Sequence, residues 1–222
     1  MQKMAKTRET PAEHTFEMSG GALCLDFANT VGDRPTSTNE HLTGYTDLLA
    51  WGRQAGVVDT ALAGRLERRA ERHKGEAIQV FDEAIALREC VYRIFSAVAA
   101  GSRPAVRDLT ALNQALTRVF PYRAVVEGED GFEWKWSGPP AALDRMLWPV
   151  LQSAAEFLTS DEIHQVRECN SDRCTWLFVD RSRTHRRRWC DMKTCGNRAK
   201  ARRHYQRTKK SKSKRPASVP AE

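Results

Sequence analysis

Four cysteines near the C-terminus have the spacing of a metal site. Cys169 and Cys174 are separated by four residues, Cys190 and Cys195 are also separated by four, and fifteen residues lie between the pairs. Two close pairs joined by a short spacer can place four thiolates around one tetrahedral Zn²⁺. Four thiolates occupy every position on the metal and leave none for a catalytic water. The sequence therefore predicts one structural zinc ion.

Two alternatives stay open beside this prediction. The four cysteines could be unrelated free thiols, since the gaps inside each pair are longer than the commonest two-residue gap of zinc knuckles. A histidine could also replace one thiolate. His185, in the loop before the second pair, is the better rival, because His204 lies nine residues beyond Cys195 on a predicted helix and would point away. Cys24 and Cys90 stand alone in apolar surroundings and are predicted to be small buried hydrophobic residues.

The residues around the quartet predict the elements that position it. Thr175–Asp180 is a β-rich run that can pair with the stretch before Cys169, and Asn197–Thr208 is rich in helix-forming residues. A knuckle, a hairpin and a helix at the last ligands make a small, treble-clef-like zinc finger. The metal then replaces the core that about 50 residues cannot build alone.

Positive charge is concentrated in the same region. The net charge is +8, but residues 1–160 hold 18 Lys and Arg against 21 Asp and Glu, whereas residues 161–222 hold 18 against 7. From Arg181 to Arg215 there are 16 cations and a single acid, Asp191. A solvated charged face normally carries both signs, and guanidinium groups match phosphate, so this segment is predicted to bind nucleic acid. The candidate contacts are Arg181, Arg183, Arg186, Arg187, Arg188, Arg198, Lys200, Arg202, Arg203 and Arg207.

The preceding part of the chain predicts a mostly α-helical domain with a small antiparallel sheet, so the fold class is α+β. Asp59 can cap a helix, a longer helix covers about 76–100, and an unbroken apolar stripe marks a helix over 143–158. Residues 20–30 are either a strand or the first turn of a helix. Two strands, Tyr122–Glu127 and Phe132–Trp136, form a hairpin. In the second strand, aromatic residues alternate with charged ones, which predicts one buried aromatic face.

Two segments resemble known families. Residues 189–205 resemble the signature of the CGNR zinc finger family, named for the Cys-Gly-Asn-Arg tetrapeptide at 195–198, and residues 169–182 match its first half. Residues 21–30 are similar to the opening motif of the ABATE domain, which usually accompanies that finger. The resemblance covers about residues 16–208. It implies a zinc- and DNA-binding bacterial protein of a kind described as a stress-related transcription regulator, with the four cysteines as ligands.

The resemblance also directs attention to two further residues. Gly196 would allow close approach of the backbone to the metal or to phosphate, and Asn197 would cap the helix or contact a base edge. The expected organisation has four parts. They are a flexible N-terminus (1–15), a mostly helical ABATE-like domain (16–160), a CGNR-type finger (161–208) and a disordered basic tail (209–222).

The predicted function is a DNA-binding transcription regulator, with an RNA-binding zinc protein as the alternative. Only Trp189 and Tyr205 are aromatic within the basic stretch, which disfavours single-strand stacking. The N-terminus has no apolar core of a signal peptide, and no 18 apolar residues run together, so we expect a cytoplasmic, nucleoid-associated protein without a membrane partner.

The N-terminal domain is not predicted to be an enzyme. Asp26, Asn29, Thr30 and Asp33 cluster, and His41 follows, but they lack the pattern of a catalytic triad or a metal site, and such residues usually cap helices and form turns. A regulator nevertheless needs an input. Asp26, Asn29 and Thr30 are therefore candidates for a small-molecule effector pocket, and the domain otherwise serves to form a homodimer.

Overall fold

A computed structural model of the protein describes residues 15–34, 39–139 and 141–213, with side chains up to residue 209. The predicted flexible N-terminus lies almost wholly outside these residues. The helices are α1 (Leu23–Ala28), α2 (Tyr45–Gln54), α3 (Thr60–Arg72), α4 (Lys74–Ala99), α5 (Val106–Val119), α6 (Leu147–Leu158) and α7 (Asn197–Ser213). The strands form three antiparallel pairs, β1 (Val31–Gly32) with β2 (Asn39–Glu40), β3 (Arg123–Gly128) with β4 (Gly131–Trp136), and β5 (Val166–Glu168) with β6 (Leu177–Val179). The α+β prediction is confirmed.

The core forms where α1, α4 and α6 meet. The apolar stripe of α6 is buried along its length, and the short α1 packs against both α6 and α4. The segment that could have been a strand or a helix is therefore a helix. The backbone N–H of Gly20 donates to Asp26 Oδ1 at 2.7 Å, and a Cβ at Gly20 would come within 2.9 Å of the Leu25 Cβ, so a glycine suits this tight entry to α1.

The remaining helices follow the sequence signals closely. Asp59 caps α3 as predicted, because its carboxylate accepts the Leu62 N–H at 2.7 Å. The long helix predicted over 76–100 is α4. One buried cation lies on its inner side, where the Arg88 guanidinium pairs with both carboxylate oxygens of Glu40 at 2.6 and 2.7 Å and so ties β2 to α4.

The β3–β4 hairpin corrects one prediction. Its aromatic face is not buried, since Phe132 is 82% exposed and Trp134 is 60% exposed. Only the base of the hairpin reaches the core, where the Trp136 ring packs edge-on against Trp148 at 5.6 Å. Alternation in a strand shows which side chains share a face, but it does not show whether another element covers that face.

The two strands around the first cysteine pair belong to the main core. Val166, Leu177 and Val179 are buried together with the helices, and β5 and β6 both contact α4. By contrast, α7 extends from the second cysteine pair with an almost entirely exposed surface. This helix continues to Ser213 and so enters the segment predicted to be disordered from residue 209, while 214–222 lie outside the described residues.

Candidate metal centre and nucleic-acid interface

The four predicted ligands come together in a buried cluster. The sulfur atoms of Cys169, Cys174, Cys190 and Cys195 all lie within 4.8 Å of one another. The Cys190 sulfur is 3.7 Å from the Cys174 sulfur and 3.7 Å from the Cys195 sulfur. Tetrahedral Zn²⁺ with Zn–S bonds of about 2.3 Å requires sulfurs about 3.8 Å apart. The donor set and its spacing therefore fit one structural zinc ion, as the sequence predicts.

Local hydrogen bonds place the first and third ligands. The Cys169 N–H donates to the Trp176 carbonyl oxygen at 2.8 Å and closes the knuckle just beyond β5 and β6. The Cys190 N–H points at the Cys169 sulfur at 3.4 Å, so a backbone dipole supports negative charge on that sulfur. These two hydrogen bonds thus hold the knuckle closed on its hairpin and bring the second pair against the first.

A separate turn supplies the last ligand. Cys195 lies in a π-helical turn, Met192–Gly196, which leads directly into α7. Asp191 caps this turn by accepting the Thr194 N–H at 2.7 Å. Gly196 allows a close approach, but to the Met192 side chain, whose sulfur would lie 2.7 Å from a Cβ at this position. Asn197 is the first residue of α7 and does not cap it, because its amide donates to the Lys193 carbonyl oxygen.

The electrostatics of the cluster favour a cation. Hydrogen bonds from the thiols of Cys174 and then Cys190 hold the pKa of Cys169 far below its usual range, against the effect of burial. The hydrogen bond to Cys169 raises the pKa of Cys174, and hydrogen bonds to Cys169 and Cys174 raise the pKa of Cys190. Among these three sulfurs, Cys169 is therefore favoured as the thiolate, and a dication at the centre of the cluster would favour ionisation of the thiols around it.

The basic loop before Cys190 is organised around a buried carboxylate that we did not single out from the sequence. Asp180 accepts the N–H groups of Ser182 and Arg187 at 3.0 and 2.9 Å. Burial raises the pKa of Asp180, but the hydrogen bond from the Ser182 hydroxyl, together with these two backbone hydrogen bonds, outweighs it and the pKa stays below its usual value. The His185 Nδ1 lies 2.9 Å from the Asp180 carbonyl oxygen. This alternative ligand therefore stabilises the loop and is not part of the sulfur cluster. The Asp-x-Ser pattern formed by Asp180 and Ser182 is typical of a turn held by the aspartate side chain, and it was the sequence signal for this role.

Three of the predicted nucleic-acid contacts are engaged within the protein. Arg181 pairs with Glu162 at 2.6 Å, and Arg202 pairs with Asp172. The Arg187 guanidinium lies 4.4 Å from the centre of the Phe178 ring and donates to the carbonyl oxygens of Trp189 and Cys190. Arg187 therefore supports the third ligand from outside the metal site.

The other predicted cations are exposed. Arg188 lies against the Trp189 ring, with 5.1 Å from its guanidinium carbon to the ring centre. The rest make no ion pair among the described residues, namely Arg183, Arg186, Arg198, Lys200, Arg203 and Arg207. At about 100° per residue, Lys200, Arg203 and Arg207 share one face of α7, opposite Arg202 and the knuckle. We call these three residues the outer stripe.

Of the three predicted effector residues, Asn29 and Thr30 border one cavity, whereas Asp26 does not line it. The Asp26 carboxylate accepts the hydrogen bond from the Gly20 N–H, and burial raises the pKa of Asp26 to about 6. Asn29 and Thr30 line a cavity of about 690 Å³ that lies between the helical domain and the zinc knuckle. Asp33 and His41 also border this cavity, as does Arg198 at the start of α7.

The same N-terminal segment holds the knuckle in place. The Asn29 side chain accepts the Leu177 N–H at 2.9 Å and donates to the Leu177 carbonyl oxygen at 2.8 Å. The Val179 N–H donates to the Gly20 carbonyl oxygen at 2.8 Å, and the indole N–H of Trp176 donates to the Val31 carbonyl oxygen at 2.9 Å. Residues 20–31 thus act as the docking edge for β6.

The fold and the site define a zinc-finger protein in which a four-cysteine knuckle with a basic helix is fused to a helical domain. Family comparisons place it further. Residues 21–161 match the ABATE family, described as "Putative stress-induced transcription regulator", and residues 165–208 match the CGNR zinc finger. The chain belongs to the ABATE family and carries a CGNR zinc finger, as the sequence motifs predicted. A regulator family and a zinc finger are not enzyme families. No curated protein matched the chain.

Among the helices of the described residues, none combines the length and the apolar character that crossing a bilayer requires.

Proposed function

We propose that this protein is a transcription regulator that binds duplex DNA through the zinc finger, with α7 as the element that enters the major groove. The single observation that carries the proposal is the outer stripe. Lys200, Arg203 and Arg207 project from a helix that contains no acidic residue and that the four-cysteine cluster fixes at its first turn. Such a helix is poorly stabilised on its own and gains most from a polyanion.

The dimensions of α7 favour DNA over RNA. Its 17 residues make a rod about 25 Å long and about 10–12 Å across, which fits the major groove of B-form DNA, about 12 Å wide. The major groove of A-form RNA is too narrow and deep for side chains to read. An RNA-binding zinc protein is therefore the alternative outcome of the test and not the proposal.

The two halves of the molecule would have separate tasks. The finger grips the phosphates, and the helical domain supplies the input, either by binding a small effector in the cavity beside Asn29 and Thr30 or by forming a homodimer. A regulator of this kind works at the bacterial nucleoid, in the cytoplasm.

The salt dependence of binding tests this proposal. Replacing Lys200, Arg203 and Arg207 together by Gln should reduce the slope of log affinity against log salt concentration by about 2.7, which is about 0.9 for each lost phosphate contact. The matched control replaces Arg65, Arg68 and Arg72, an exposed triplet at the same spacing on α3, and should leave the slope unchanged. Fluorescence anisotropy with a labelled duplex gives both values.

Two results would contradict the proposal. Equal slopes for the α7 and α3 variants would show that the outer stripe does not contact phosphate. Preference for a hairpin RNA over a DNA duplex of equal length, in direct competition, would favour the RNA alternative.

A further inference from the structure

The β3–β4 hairpin presents an apolar face that the described residues leave uncovered. The register pairs Val125 with Trp134 and Glu127 with Phe132, and directly paired residues of an antiparallel ribbon point to the same side. Val125 is 55% exposed, in addition to the exposed aromatic rings of Phe132 and Trp134. We call these four positions, together with Arg123 on the same side of the ribbon, the aromatic face.

The base of the hairpin is fixed, so this face has a defined orientation. Tyr122 stacks on Trp148 with the ring centres 4.9 Å apart and the planes 9° apart. Arg145 donates to the Trp136 carbonyl oxygen at 2.5 Å. A two-stranded ribbon is marginally stable alone, and here it projects from a rigid anchor. Exposed rings on such a ribbon are typical of an interaction surface.

The charge of the hairpin excludes nucleic acid and anionic lipid as occupants of this face. Its outer half carries Glu127, Glu129, Asp130 and Glu133 and no cation. Phosphates would be repelled from this end of the ribbon. The remaining class of occupant is another protein surface.

The pattern of charge along the face points to a second copy of the chain. Arg123 lies at the inner end, Glu127 lies at the outer end, and Val125 lies between them. When two such faces pack with their strands antiparallel about a two-fold axis, Arg123 lies opposite the partner's Glu127, and Trp134 lies over the partner's Trp134. The face is thus complementary to itself in charge and in apolar surface.

We propose that the aromatic face of the β3–β4 hairpin is the surface through which two copies of this protein form an isologous dimer. This deepens the proposed function, since it names where the helical domain pairs. Large aromatic side chains bury about 150–250 Å² each, so two faces bury roughly 1,000 Å² in total, at the lower limit of a specific interface. The dimer is therefore expected to have a micromolar dissociation constant.

Sedimentation equilibrium of the full-length, zinc-loaded protein without nucleic acid tests the inference. Over about 1 to 200 μM, the wild type should shift from monomer to dimer. The double variant Phe132→Ser with Trp134→Ser should stay monomeric, and its circular dichroism should match the wild type because both side chains are exposed. Omitting nucleic acid keeps failure of pairing distinguishable from failure of DNA binding.

A charge reversal tests the orientation. Arg123→Glu and Glu127→Arg should each weaken dimerisation about tenfold, and the two together should restore it. Glu127→Arg is the cleaner single variant, because the Arg123 guanidinium also lies over the Trp136 ring at 4.8 Å. The control reverses Glu133 and Lys135, which pair on the opposite face, and should change nothing. A monomeric wild type would overturn the pairing, and single losses without recovery in the double reversal would overturn the antiparallel register.

Discussion

Asn29 joins the helical domain to the zinc knuckle, because its side chain makes the hydrogen bonds to β6 that a neighbouring strand would otherwise make. Its carboxamide makes two hydrogen bonds to the backbone of Leu177, and it is only 2% exposed. An amide presents one donor and one acceptor, as a backbone edge does, whereas a carboxylate would place a second acceptor against the Leu177 carbonyl oxygen. The sequence placed this residue in an effector pocket. Its side chain borders the cavity beside the knuckle, and its amide makes the contact between the two halves of the molecule.

We expect Asn29→Ala to destabilise the protein by about 2–4 kcal/mol, because two buried backbone groups lose their partners at about 1–3 kcal/mol each. Urea denaturation measures the loss. Asn113→Ala, at an exposed position of α5, is the matched control and should change the unfolding free energy by less than about 0.5 kcal/mol. Equal effects of the two substitutions would contradict the role assigned to Asn29.

The β5–β6 hairpin serves both halves of the molecule. It carries Val166, Leu177 and Val179 into the main core, and the loop between its two strands provides the first cysteine pair. The second pair, the π-helical turn and α7 have no such support and are fixed mainly through the sulfur cluster. Metal removal should therefore affect the two parts of the finger differently.

Chelation of zinc should release the second pair while the hairpin stays docked. In hydrogen exchange, the amides of Leu177 and Val179 should keep their protection, since they donate to Asn29 and to Gly20. The amide of Asn170, which donates to the Arg188 carbonyl oxygen, and the amide of Gly196 should exchange at least about tenfold faster. Parallel loss of protection at all four amides would show that the hairpin also depends on the metal.

The sequence predicted elements better than it predicted their surroundings. Cysteine spacing identified the zinc site, and apolar periodicity identified α4 and α6, because ligand geometry and helical period are local properties. The exposure of Phe132 and Trp134 depends on whether a distant element covers the hairpin. The ion pair of Arg202 with Asp172 likewise depends on how the knuckle meets α7. Neither has a signal in neighbouring residues.

At the scale of the whole molecule, charge is divided between the two halves. Residues 1–160 carry a net charge of −3 and residues 161–222 a net charge of +11, from 18 cations less 21 acids and 18 less 7. A polyanion is thus drawn to the finger and repelled from the rest, which orients the protein as it approaches. The aromatic face, on a hairpin with an acidic outer half, remains free to pair during binding.

Although the charge divides near residue 160, we expect that the chain does not fold independently on either side of this residue. A fragment ending there loses Val166, Leu177 and Val179, each worth about 1.5–3 kcal/mol when buried, so it should lose about 5–9 kcal/mol, which is comparable to the whole stability of many domains. A fragment ending at Arg188 lacks half the zinc site but keeps the hairpin, and one ending at Thr208 lacks only the distal part of α7 and the tail. Calorimetry should show the last two fragments melting near the full chain, and the first melting far lower with exposed apolar surface. If all three melt together, the helical domain folds without the hairpin, and the contacts of Asn29 and Gly20 merely dock two finished domains.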